Sequence, residues 1–371
     1  MPPVRVLVVD DSVVVRKLLS EVLAASPQIQ LAGTASSGAI ALAKIPRLNP
    51  DVVTLDIEMP GLNGLETLRE IRKLYPKLPV IMFSTLTEQG AAITLEALSL
   101  GASDYMAKPA NSESLASAMA EVRRDLITKI LSLTGGDRHA TPASPSVPPR
   151  KARTGASRIE ILAIGTSTGG PNALAEVIPR LPESFPVPVV VVQHMPPLFT
   201  RLLAERLSSR SSIPVREAEA GSALEPGHVW IARGDYHMIV ARKGLQTVLE
   251  LNQGPPENSC RPAVDVLFRS VAQTYGPNVL AVVMTGMGSD GARGAAHIRE
   301  AGGEVLVQDE ASSVVWGMPG AVVDSQCANK ICPLPEISHE IVRRVSIGRT
   351  QKLFASDDSS SVNRSSQMCR K

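Results

Sequence analysis

The sequence predicts an α/β protein built of two doubly wound parallel-sheet domains, and three observations carry that expectation. At 371 residues the chain is longer than one hydrophobic core usually serves. Short apolar runs alternate with amphipathic stretches through both halves, as strands buried on two faces alternate with the helices that cover them. Between the halves, Pro142, Pro145, Pro148 and Pro149 are interleaved with small polar residues and with Arg150, Lys151 and Arg153, a linker composition.

In the first half, residues 4–9, 29–35, 52–55 and 80–83 read as strands, residues 13–23, 39–48, 65–74 and 91–100 as helices, and a short strand ends at Lys108. Strand and helix alternate five times, which gathers functional groups where strands end and loops begin. This domain is expected over residues 1–125 and the linker over residues 126–157. A second α/β domain is expected over residues 158–350. Its strands read at 159–164, 187–192, 229–232, 238–241 and 279–284, and its helices at 173–181, 198–207 and 264–272. Residues 351–371, rich in serine, are expected to be a disordered tail.

Composition narrows the function classes. A hydrophobic share of 44% with 20% charged residues fits a soluble globular protein, and 3% aromatic residues offer no stacking platform for single-stranded nucleic acid. The net charge of +2 comes without any block of lysine or arginine, so no nucleic-acid partner is expected. Cys260, Cys327, Cys332 and Cys369 form no CxxC pair and read as reduced thiols. No signal-peptide core opens the sequence and no run of eighteen apolar residues follows, so a cytoplasmic protein without direct membrane insertion is expected.

Asp10 and Asp11 follow the first strand and Asp56 follows the third, so a doubly wound sheet converges three carboxylates at one edge. Like charges that close require compensation, and a hard divalent cation such as Mg²⁺ supplies it. Lys108 brings a positive charge to the same edge, and Ser84 a hydroxyl. One aspartate after a strand is readily a helix cap, but five such elements in order suit a phosphorylated carboxylate. Over nearly all of this half the chain resembles the response-regulator receiver family. The resemblance rests on Asp10-Asp11, the acceptor in Leu55-Asp56-Ile57-Glu58-Met59-Pro60-Gly61, Ser84, and Lys108-Pro109. It implies a flavodoxin-like receiver in which a histidine kinase of a two-component pathway transfers a phosphoryl group to Asp56. Mg²⁺ at Asp10, Asp11 and Asp56 would assist, and Ser84, Tyr105 and Lys108 would form the switch.

In the second half, Gly165-Thr166-Ser167-Thr168-Gly169-Gly170-Pro171 places a Gly-x-Ser-x-Gly pattern between a strand and a helix. The backbone amides after Ser167, beginning with Thr168, would point from a helix N-terminus toward a developing oxyanion. The same turn could instead cradle a phosphate, so further residues must decide. His194 and Asp290 each follow other apolar strands, and the three together form an acyl-transfer device of nucleophile, base and orienting carboxylate. Each alone is ordinary turn or hydrogen-bonding chemistry.

Residues 158 to about 347 resemble the catalytic domain of the chemotaxis protein-glutamate methylesterase family. The matches are Ile164 through Gly170, Gln193-His194-Met195-Pro196, Arg261 through Phe268, Met284 through Gly291, and Gly317-Met318-Pro319-Gly320. The resemblance implies a Rossmann-like α/β serine hydrolase domain with a triad of Ser167, His194 and Asp290. It implies hydrolysis of glutamate γ-methyl esters on methyl-accepting chemotaxis receptors, often with glutamine deamidation, and a Met287 amide in the oxyanion hole. No cofactor is expected for hydrolysis. The chain departs from the family pattern where Cys260-Arg261-Pro262 replaces His-Arg-Pro, and Cys260 is expected to fill a small apolar packing role. Arg261 reads equally as a guide for an acidic receptor surface or as an ordinary ion pair.

The unphosphorylated receiver is expected to cover the Ser167 edge, and phosphorylation of Asp56 to shift Ser84 and the segment at Tyr105. A receiver-gated adaptor that only docks is the competing class. A dinucleotide-dependent oxidoreductase lacks the middle glycine of GxGxxG, and a DNA-binding output lacks a helix-turn-helix.

Overall fold

The computed structural model describes residues 2–85, 87–108, 115–135 and 158–349. Most of the expected linker and the tail, with Pro109, His139 and Cys369, lie outside these residues. The described chain forms two α/β domains.

The first is β1 (Val4–Val9), α1 (Val13–Ala24), β2 (Ile29–Ala35), α2 (Gly38–Leu48), β3 (Val52–Asp56), α3 (Gly64–Leu74), β4 (Val80–Ser84), α4 (Glu88–Ser99), β5 (Asp104–Ala107) and α5 (Leu115–Leu133). The sheet is parallel throughout in the order β2-β1-β3-β4-β5. Strands β3 and β4 are buried at every residue, which is why both are mostly apolar with no polar alternation. Helix α3 starts where Asn63 and Glu66 exchange side-chain to backbone hydrogen bonds, satisfying two donors that a helix start leaves unpaired.

One boundary differs from expectation. Helix α5 continues to Leu133, eight residues past the expected domain end, because Leu126, Ile130 and Leu131 recur at helical spacing and bury in one apolar cluster with residues of α1 and of the sheet. Lys129 belongs to this stretch and turns out to matter for the active site.

The second domain comprises β6 (Ile161–Thr166), α6 (Gly170–Val177), β7 (Val189–Gln193), α7 (Pro197–Ser208), β8 (Val215–Glu217), β9 (Val229–Ile231), β10 (His237–Lys243), β11 (Gln246–Asn252), α8 (Val264–Tyr275), β12 (Val279–Val283), α9 (Ala292–Glu300), β13 (Glu304–Gln308), α10 (Gly317–Asp324), β14 (Lys330–Cys332) and α11 (Leu334–Val345). Its seven-stranded sheet is parallel in the order β14-β13-β12-β6-β7-β9-β8. The strand expected at 238–241 does not join that sheet. It pairs antiparallel with β11 as a separate hairpin, since its partner lies only two residues further along the chain.

The two domains share one apolar core. Helix α4 packs on α6 and α7, and the Tyr105 ring at the end of the first sheet stacks on Phe199 of α7, with centroids 4.6 Å apart and planes 14° off parallel. Such an aromatic pair adds about 0.5–1.5 kcal/mol beyond the area it buries.

Candidate active site

The carboxyl ends of β6, β7 and β12 share one edge of the second sheet and carry Ser167, His194 and Asp290. Ser167 occupies the turn into α6, whose residue Gly169 has a φ of +79°. A side chain at Gly170 would come within 2.0 Å of Gln193 Oε1, so the turn closes only with glycine there. Gln193 stiffens it: Nε2 donates to the Ser167 carbonyl at 2.9 Å and Oε1 accepts from Thr166 Oγ1 at 2.7 Å. The sequence placed Gln193 beside the histidine but gave no sign of this work.

His194 Nε2 lies 2.8 Å from Asp290 Oδ2. The Asp290 carboxylate is buried and saturated with donors. Oδ2 also accepts the Val264 amide at 2.7 Å, and Oδ1 accepts the amides of Asp265 and Gly291, each at 3.0 Å, and Asn258 Nδ2 at 2.7 Å. Two of these amides open α8, so a helix N-terminus faces the charge. Burial pushes the Asp290 carboxyl up, but His194 and these donors outweigh it and hold it below the usual carboxylate range. For His194, burial disfavours the imidazolium, while Asp290 and Cys260 favour it more strongly and raise its pKa.

With Nε2 committed to Asp290, Nδ1 is the nitrogen left for a hydroxyl. Ser167 lines the same crevice as His194, but its hydroxyl makes no hydrogen bond among the described residues. What stands 3.5 Å from Nδ1 is Cys260 Sγ, half-buried. This corrects the expected packing role: the thiol touches the histidine. Its approach comes from a turn distant in sequence, which no local pattern announces. Arg261 is held by Asp235 and by the carbonyls of Gln253 and Gly254. Met287 is half-buried and follows Gly286, where a side chain would meet Ser167 Cβ at 2.8 Å.

The crevice has a second wall, made by the first domain: Leu98, Asp104, Tyr105 and Lys129. Thr168 Oγ1 donates to Asp104 Oδ2 at 2.7 Å, and Lys129 Nζ donates to the same oxygen at 2.7 Å. Asn172 Nδ2 bonds the Leu98 carbonyl at 2.7 Å. Asp104 is buried, and a buried carboxylate without its cation costs several kcal/mol. The contact on Thr168 is therefore conditional on Lys129, that is, on where α5 lies. Sequence reading missed Asp104 and Lys129, which line the crevice only because two domains meet, and Phe199, on which Tyr105 stacks.

At the carboxyl edge of the first sheet, oxygens of Asp10, Asp11 and Asp56 all lie within 4.8 Å of one another. Lys108 Nζ stands 2.7 Å from Asp56 Oδ1 and 3.6 Å from Asp10 Oδ2. Asp10 Oδ2 and Asp56 Oδ2 are buried without a hydrogen-bond partner, and hard oxygen donors left in that state fit a divalent cation. Burial first, then Asp10, pushes the Asp56 carboxyl up to about 6 against the pull of Lys108. Ser84 Oγ is turned away from Asp56, donating to the carbonyls of Thr85 and Gly90 at 3.1 Å each.

Comparison with known proteins follows the same division. Residues 6–120 match the response regulator receiver domain, and residues 162–341 match the CheB methylesterase family. Over 354 residues the chain is 53% identical to the protein-glutamate methylesterase/protein-glutamine glutaminase of Trichodesmium erythraeum, covering 93% of this chain and 100% of that one. The enzyme of the same description from Nocardioides sp. is 52% identical over 360 residues, covering 93% and 96%. The crystal structure of the Thermotoga maritima CheB methylesterase catalytic domain is 41% identical with a TM-score of 0.49, covering 50% of this chain and 99% of that one.

Proposed function

This chain belongs to the family of protein-glutamate methylesterase/protein-glutamine glutaminase enzymes that carry a receiver domain, and from that premise we propose a phosphorylation-activated hydrolase of receptor glutamyl methyl esters. The observation that carries the reading is the His194–Asp290 pair at 2.8 Å beside the Ser167 turn, with the receiver's Asp104 bonded to Thr168 above it. The catalytic domain is taken as residues 158–350. The receiver, expected over 1–125, is extended here through α5 to Leu133.

In the open enzyme, Ser167 Oγ attacks the ester carbonyl while its proton passes to His194 Nδ1. The raised pKa of His194 favours the imidazolium that this transfer creates, and Asp290, its pKa held below the usual range, holds the ring. The Thr168 amide at the entrance to α6, with that of Met287, stabilises the oxyanion. His194 returns the proton to the departing methoxide, methanol leaves, and water activated by the same imidazole releases the glutamate carboxylate from Ser167. A glutamine side chain at this site loses ammonia by the same steps.

The receiver sets access. Asp56 accepts the phosphoryl group of a histidine kinase; Asp10, Asp11 and Asp56 would hold Mg²⁺, which would screen the charge that accumulates there. Lys108 holds the acceptor oxygen, and Ser84 turns from its carbonyl partners toward the phosphoryl group. That turn draws Thr85 and the start of α4 at Gly90 with it, and the Tyr105 stack and the Asp104–Thr168 bond on the adjacent face release. The result is adaptation of the receptor signal.

The test is methanol release from methylated receptor membranes, with and without a small acyl phosphate. Wild type should be stimulated, Asp56→Ala should not, and Ser167→Ala should release none. Release by Ser167→Ala at the wild-type rate would overturn the reading.

A further inference from the structure

Four residues outside the triad make a tight turn against it. The Glu257 amide donates to the Cys260 carbonyl at 3.1 Å and the Cys260 amide to the Glu257 carbonyl at 2.9 Å. Between them Asn258 and Ser259 have φ values of +53° and +62°, a left-handed pair that few residues other than asparagine and glycine adopt readily. The turn is anchored, since Arg269 grips Glu257 through two hydrogen bonds of 2.7 and 2.6 Å and Arg293 adds a third at 3.0 Å.

From this fixed turn two side chains reach the two ends of the His194–Asp290 pair. Asn258 Nδ2 donates to Asp290 Oδ1 at 2.7 Å and to Asp265 Oδ2 at 2.9 Å. Both carboxylates are buried, and the amide hydrogens of Asn258 stand between two like charges. Cys260 Sγ lies 3.5 Å from His194 Nδ1, where the Ser167 hydroxyl has to arrive for proton transfer. No other donor or acceptor is bonded to that nitrogen among the described residues.

We infer that the Glu257–Cys260 turn is a positioning element for hydrolysis: Asn258 fixes the Asp290 carboxylate, and the Cys260 thiol holds the imidazole by its reactive nitrogen until Ser167 displaces it. This rests on the reading of Ser167, His194 and Asp290 as the hydrolytic triad. Without Asn258, Asp290 Oδ1 keeps two backbone donors but loses the group that separates it from Asp265, so the ring's anchor loosens while the substrate surface is unchanged. Without Cys260, the imidazolium loses one of the two groups that favour it, and His194 gives up its proton at lower pH.

The full-length protein, activated with an acyl phosphate, is assayed for methanol release from methylated receptor membranes across pH. Asn258→Gly suits the left-handed backbone and removes only the amide; it should lower kcat about 10- to 100-fold with KM within about twofold of wild type. Cys260→Ala should move the acid limb of kcat/KM to lower pH. The His194 ring, titrated by NMR in Ser167→Ala protein with and without Cys260→Ala, should move the same way. Ser167→Ala inactive, with Asn258→Gly and Cys260→Ala both at wild-type kcat and wild-type acid limb, overturns the turn's role and leaves the triad standing. Activity in Ser167→Ala overturns the triad, and the turn's role with it.

Discussion

The two carboxyl-edge sites of this chain solve opposite problems with the same residue type. Asp56 and Asp290 are both buried at the ends of parallel strands. Asp290 receives three backbone amides, the Asn258 amide and His194, and its pKa falls below the ordinary range. Asp56 receives the Glu58 amide and Lys108 while Asp10 crowds it, one of its oxygens has no partner, and its pKa rises to about 6. A carboxylate surrounded by donors is a fixed charge that orients a base. One left short of donors is a reactive oxygen that a cation and a phosphoryl group can satisfy. Burial is common to both; donor count separates them.

The largest test of that contrast is Asp290→Asn, which keeps the shape and removes the fixed charge. It should lower methanol release by roughly 10³- to 10⁴-fold, and a fall of less than about tenfold would mean the imidazole does not depend on it. Removing divalent cation tests the other side. Chelation should lower the thermal stability of the first domain relative to saturating Mg²⁺ by an amount on the order of 2–3 kcal/mol, and Asp56→Asn should shrink that difference. Equal stabilisation of both proteins would place the cation elsewhere.

The wall between the two sites gives a smaller effect. Asp104→Ala removes the bond to Thr168 and should raise unphosphorylated activity about tenfold, corresponding to about 1.4 kcal/mol of closure, with a matching loss of stimulation by phosphodonor. Unchanged basal activity would show that the Tyr105–Phe199 stack and the Asn172–Leu98 bond close the crevice without Asp104.

The subtlest test is pH. Because Asp290 and Cys260 raise the His194 pKa above its usual 6.5, the ring stays protonated to higher pH and must lose that proton to act as base. The acid limb of kcat/KM should therefore lie above pH 6.5, with activity lost as pH falls through it. A limb at or below 6.5 would mean the His194–Asp290 pair loosens when the crevice opens.

Much of this architecture was written locally. The mostly apolar runs of β3, β4, β6, β7 and β12 pointed to parallel sheets, because strands buried on both faces have no polar alternation to show. Asp10, Asp56, Ser167, His194 and Asp290 were legible because each ends an apolar strand or lies in the loop that follows one, and strand ends share an edge. The end of α5 was not, since the change to linker composition comes later than the expected boundary and the burial of Ile130 is decided by the apolar cluster it shares with α1 and the first sheet.

Sequence alone thus determined the two sheets and the residues at their edges, for both depend on chain-local periodicity. Only the tertiary structure decided how those residues are charged and covered. Cys260 against His194, Asn258 on Asp290, and Lys129 with Asp104 over Thr168 join segments 25 to 66 residues apart, and nothing in a short window records such a meeting. Electrostatic environment and access are properties of what surrounds a group in space, and neighbours in space are chosen by packing.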